Sequence, residues 1–128
     1  KEFQEIVDYS TKNNTTFINA EHNILGLSHQ EIGEFLTNKW SLPVVFSDAL
    51  QFHHKPAFSK VNNFLTSILH IADYATTKFD AQSIPWDSNY SMDNSVIDTL
   101  NFLSLDGLNE FIEAYRDDYV EVSKQKLI

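Results

Sequence analysis

Five histidines are the residues best suited to chemistry in this chain, and four of them fall between Glu21 and Pro56. His22 and His29 flank Gly26, His53 and His54 are adjacent, and His70 stands alone further on. Imidazole is the side chain that binds metal or moves protons near neutral pH. A metal site would need three or more such ligands converging from different elements, with a carboxylate such as Asp73 as a further candidate.

Those ligands can only be placed by helices, and the sequence marks where the helices begin and end. Phe3, Ile6, Val7 and Ser10 recur at helical spacing and give a short first helix ending near Lys12-Asn13-Asn14. Thr15 or Thr16 caps a second helix with Phe17, Ile18, Ile24 and Leu25 inward and Gly26 as its C-terminal stop. Ser28-His29-Gln30-Glu31 is a capping box and opens a third helix, predicted to bury Ile32, Phe35, Leu36 and Trp40. Pro43 suits the first turn of a fourth helix with a Val45, Ala49, Phe52 stripe, which Pro56 stops. A longer helix is predicted from about Lys60 to Phe79, with Val61, Leu65, Ile68, Ala72, Ala75 and Phe79 on one face. After an extended loop over 80–92, two helices at roughly 93–103 and 106–124 complete the chain, the last carrying Leu108, Phe111, Ile112, Tyr115 and Tyr119. No strand pattern, repeat or low-complexity tract is visible. The predicted class is all-α, a compact bundle of about six or seven helices in a single domain over residues 1–128.

Composition agrees and narrows the partners. A chain of 128 residues that is 42% hydrophobic can bury one core, and three glycines with three prolines leave little of it in turns. The nine Lys and Arg are scattered and the net charge is −9, which disfavours nucleic acid and docking on an anionic membrane. Without cysteine there is no disulfide framework, zinc knuckle or thiol catalysis, in keeping with a cytoplasmic setting. The sequence sets no oligomeric state.

Helical geometry, about 100° per residue, tells which polar groups face inward. Glu21 falls near the centre of its helix's apolar arc, and His22 lies off it. A carboxylate there must be paired: it caps backbone amides or pairs with a histidine, or it orients a metal-binding imidazole. His29 shares a face with Ile32 and Leu36 at a helix N-terminus, where the positive dipole end favours the neutral ring. His53 lies within the arc of Val45, Ala49 and Phe52. His54 is more than 90° away and joins it only where the helix end frays or faces a cleft. Asp73 sits on the flank of the long helix between core and solvent, while His70 falls on the opposite, polar side. Trp86 and Tyr90 in the 80–92 loop are either a contact site or a cover over the core edge.

Taken together, Glu21…Leu25-Gly26…His29…Ile32-Gly33…Leu36, Trp40-Ser41-Leu42-Pro43, Ala49…His53-His54…Pro56 and Ile71-Ala72-Asp73 resemble the C-terminal half of HDOD domains, the HD-related output domains of bacterial signalling proteins. The chain would then be the C-terminal part of a larger domain or chain. The resemblance implies an all-helical fold shared with HD-type phosphohydrolases, including the HD-GYP enzymes that cleave cyclic dinucleotides. Those enzymes hold divalent metals with an upstream histidine, a His-Asp doublet, later histidines and a final aspartate. By position His29 is similar to the histidine after the doublet, His53 and His54 to the later pair, and Asp73 to the final aspartate. No His-Asp doublet, no histidine before His22 and no Gly-Tyr-Pro signature occur here. The resemblance therefore implies a non-catalytic module with vestigial metal ligands at His29, His53, His54 and Asp73, with Glu21 in a supporting or structural place. It implies a signalling protein as partner or a small ligand, and no resident cofactor. A divalent metal, and with it phosphohydrolase action on nucleotides or cyclic dinucleotides, is expected only where an upstream segment completes the ligand set.

Overall fold

The computed structural model describes residues 1–79 and 90–124. Its elements are α1 (Glu2–Asn13), α2 (Phe17–Leu25), α3 (His29–Lys39), α4 (Val44–Phe52), a 3-10 turn at Pro56–Phe58, α5 (Asn63–Phe79), α6 (Ser95–Thr99), α7 (Leu105–Glu113) and α8 (Arg116–Lys124). No strand occurs among the described residues, and no described helix is long and apolar enough to cross a membrane. The expected loop at 80–92 lies largely outside the described residues, and Trp86 with it.

The helix boundaries follow local chemistry. Thr16 accepts from the amide of Asn19 to open α2, and Gly26 closes it at φ 80°, a conformation that costs a glycine nothing. The capping box of α3 is complete: Ser28 accepts from the amide of Glu31, whose carboxylate accepts from the amide of Ser28. The helix expected at roughly 93–103 is only the short α6, Ser95–Thr99, and two further ends depart from expectation. The fifth helix begins at Asn63 rather than near Lys60, because the buried Asp48 carboxylate takes the amides of Lys60, Val61 and Asn62 together with the Ser59 hydroxyl. Those residues wrap around the carboxylate, and Asn62 then caps α5 by accepting from the amide of Leu65. The last helix is split into α7 and α8 where the Tyr115 amide turns to the carbonyl of Ile112, three residues back, in a tightened turn.

Two packing regimes meet along α5. On one side Ile71, Val96, Leu108 and Ile112 form an apolar core, joined by Tyr74, Phe79, Met92 and Phe102 at its edge. On the other, α3 and α4 pack through small and polar groups. Gly33 lies so close to α4 that an added Cβ would stand 3.3 Å from Leu50 Cδ1, and Gln30 and Gln51 bridge the seam by donating to the Gln51 carbonyl and the Glu34 carboxylate. Several apolar residues that periodicity assigns to the core face outward here and on α5. Phe35 is 63% exposed and Trp40 64%, and Ile32, Val61 and Ile68 are exposed as well. In their place α5 buries Thr66, Ser67 and His70, each with a hydrogen-bond partner inside the fold. Ala49, Leu108 and Ile112 are buried as expected, while Phe111 and Tyr115 are not.

Candidate metal and ligand site

The first imidazole is placed by α2 and α3 together. Glu21, buried on α2, accepts from the His29 amide at 3.0 Å and stands 2.7 Å from His29 Nδ1 through the same Oε2. Its two expected roles therefore coincide: it caps the start of α3 and orients the ring of His29. With a carboxylate on Nδ1, that nitrogen carries its proton and Nε2 is turned toward α4.

The second and third imidazoles come from the end of α4. The helix stops at Phe52 and His53 is its C-cap, so His54 already lies beyond the regular helix. That is the end effect which the wheel required, and it swings His54 onto the same side as His53. His53 donates from Nδ1 to the Leu50 carbonyl at 2.7 Å, which leaves Nε2 as a lone-pair nitrogen. The Nε2 atoms of His53 and His54 lie 3.3 and 3.0 Å from His29 Nε2. All three rings thus offer ligand atoms within 4.8 Å of one another. Asp73, 38% exposed on its side chain, stands at the margin, with Oδ2 3.8 Å from His54 Nε2 and 4.0 Å from His53 Nε2. Of the residues expected at the site, the three imidazoles converge, Glu21 holds His29 and Asp73 stands at the edge. His22 points away and sits 3.6 Å from Glu31 in solvent.

Burial sets the charge of this cluster. Desolvation, the two neighbouring imidazoles and His70 push His54 down to about 3. Burial also lowers His53, against the opposing pull of the Leu50 carbonyl and Asp73. Both rings are therefore neutral at pH 7, the state in which imidazole binds metal. The Nδ1 atom of His54 is buried and makes no hydrogen bond among the described residues. A neutral His54 either donates from Nε2 to His29 and strands a lone pair, or turns a lone pair to the cluster and strands an N–H. Both alternatives leave a buried polar group unsatisfied, a cost that binding at Nε2 can offset.

Donors of this kind fit a divalent ion. Imidazole nitrogens on one ion at about 2.0–2.1 Å stand about 3.0–3.4 Å apart in octahedral or tetrahedral arrangement, the range of the two separations to His29. Asp73 is beyond that range and reaches an ion only by rotating inward. A cleft of about 400 Å³ opens beside the cluster, with His29, His54, Lys55, Asp73 and Tyr90 on its walls and the start of α2 at its rim.

Residues 1–56 match the family model of the HDOD domain, a span that includes the capped His29, the Trp40-Ser41-Leu42-Pro43 turn and the His53-His54 pair. Over these residues the chain is similar to the HDOD family. No curated protein and no solved structure matches the chain. The matched residues thus supply all three imidazoles, and Asp73 on α5 lies beyond them.

One participant, His70, is placed differently from expectation, and the role of another, Tyr90, was left open. His70, assigned to the polar side of α5, is fully buried: its Nδ1 lies 2.7 Å from the His53 carbonyl and its Nε2 accepts the Asp93 amide at 2.9 Å. Tyr90 packs edge-on to His54 at 4.8 Å between centroids and also meets the rings of His70 and Tyr74. Tyr90 thus packs over the rings of His54, His70 and Tyr74 and also lines the cleft. Only the placement of His70 between Leu69 and Ile71 hinted at burial in the sequence.

Proposed function

We propose that this chain is a non-catalytic signal-transduction module of bacterial, cytoplasmic HDOD type, which acts by binding a signalling protein or a small ligand. The observation that carries this reading is the composition of the cluster: three imidazoles with one carboxylate at their margin, and no His-Asp doublet anywhere in the sequence. Hydrolysis of a phosphoester requires an ion that acidifies water while screening the phosphate, held by a full set of ligands. In the enzymes the chain resembles that set includes a His-Asp doublet, and none occurs here. The exposed apolar side chains of α3 and the α3–α4 turn, Phe35 and Trp40 foremost, support a role in packing against a protein partner.

A second reading, a metal-dependent phosphohydrolase acting on nucleotides or cyclic dinucleotides, is favoured by the spacing of the imidazoles. In it His29, His53 and His54 would hold a divalent ion, Asp73 would complete its shell and Glu21 would fix the ring of His29. The ion would supply a nucleophilic water at neutral pH.

Assays with excess Mn²⁺, a cyclic dinucleotide and a chromogenic phosphodiester separate the two. The first reading expects turnover no greater than that of H29A and H53A. Turnover that both substitutions abolish, accompanied by stoichiometric ion in the wild-type protein, would establish the second.

A further inference from the structure

We infer that His70 is a positioning residue for the histidine cluster, acting through its hydrogen bond to the backbone carbonyl of His53. This rests on the cluster of His29, His53 and His54 being the functional site. His70 is fully buried on α5, and both of its ring nitrogens are fixed by backbone groups whose roles are unambiguous. The Asp93 amide can only donate, so Nε2 accepts. The remaining proton sits on Nδ1 and is donated to the His53 carbonyl, which can only accept. The Tyr90 hydroxyl oxygen, 3.0 Å from the same Nδ1, shares that hydrogen as a second acceptor.

What this bond holds is the point at which α4 ends. His53 is the C-cap, and beyond it the chain must leave the helix for His54 to face His29. The Nδ1 of His53 is itself tied to Leu50, so its ring and its carbonyl are each pinned, one within α4 and one from α5. Releasing the carbonyl frees the peptide that joins the two imidazoles while leaving the apolar core around Ile71 untouched. The other nitrogen serves a different purpose, anchoring residue 93 at the entry to α6.

Asparagine and glutamine separate these two bonds. The amide of asparagine occupies the place of Nδ1 and can donate to the His53 carbonyl, and that of glutamine reaches the place of Nε2 and can accept from Asp93. The experiment is ¹⁵N and ring-proton NMR on the whole chain, without added ion, on wild type, H70N and H70Q, with thermal midpoints recorded alongside. In the wild type His70 is expected as the Nδ1–H form, and ring-proton cross-peaks link His29 to His53 and His54. H70N should retain those cross-peaks and H70Q should lose them at least fivefold, although both lower the thermal midpoint. Cross-peaks at wild-type intensity in H70Q, or equal loss in H70N, would overturn the inference. An Nε2–H form of His70 in the wild type would overturn it without either variant having to fold. Because no ion is present, a chain that binds none still decides the matter, so failure of the functional reading is seen separately.

Discussion

The α3–α4 pair and the α5–α7 core are built on opposite plans. The core joins Ile71, Val96, Leu108 and Ile112 with apolar neighbours at its edge, the conventional route to stability by burial. The α3–α4 pair buries Thr37, Ser47, Asp48 and His53 and leaves Phe35, Trp40 and Val44 outward. Hydrogen bonds specify position more sharply than they stabilise, so the second plan suits a site and the first suits a foundation. The difference teaches that stability and ring geometry are held by separate sets of residues, which meet at His70 and Ile71 on α5.

That separation can be broken first at the core. Leu108→Ala should lower unfolding free energy by about 3 kcal/mol, measured by denaturant titration, and leave the His29–His54 ring contact intact. Loss of that contact in the still-folded variant would show that the two regions are not separate.

Asp48 tests the polar plan. Burial alone would raise its carboxyl, but the Ser59 hydroxyl and the amides of Lys60, Val61 and Asn62 hold it below the ordinary value. Asp48→Asn should therefore cost about 2 kcal/mol and fray the start of α5, seen as faster amide exchange at residues 60–62.

The histidines give the two regions different pH responses. His53, His54 and His70 all have lowered values in the fold against 6.5 when unfolded, so the unfolded chain binds more protons as pH falls. Their contribution is whole above about pH 6.5 and is lost below it, by about 1.4 kcal/mol per pH unit for each imidazole that stays neutral in the fold. Urea midpoints should fall between pH 6.5 and 5, and should fall less steeply in H54L, where His53 and His70 still contribute.

The smallest effect belongs to the exposed apolar face. Trp40→Ser should change stability by less than about 0.5 kcal/mol, while weakening any partner captured through α3. A large loss in the isolated chain would mean that this residue supports the fold itself.

The sequence made the helices and several contacts legible because their causes are local. Ser28 and Glu31 are three residues apart, Gly26 ends its own helix, and the inward face of Glu21 follows from the turn of α2. His54 depended on where α4 stopped, a matter of one residue. His70 was misplaced because its partners, the carbonyl of residue 53 and the amide of residue 93, are distant in sequence and invisible to periodicity. Phe35 and Trp40 mark an apolar stripe correctly, but periodicity cannot tell which surface covers a stripe. Asp73 was readable as a flank residue, and its distance to the rings was not.

Residue-resolved titration of the imidazole nitrogens tests the account most directly, since it rests on a desolvated, neutral donor set. His54 should remain uncharged as the pH is lowered from 7.5 through 5, and His53 should titrate below 6.5. A native-state midpoint near 6.5 for either ring would contradict the account.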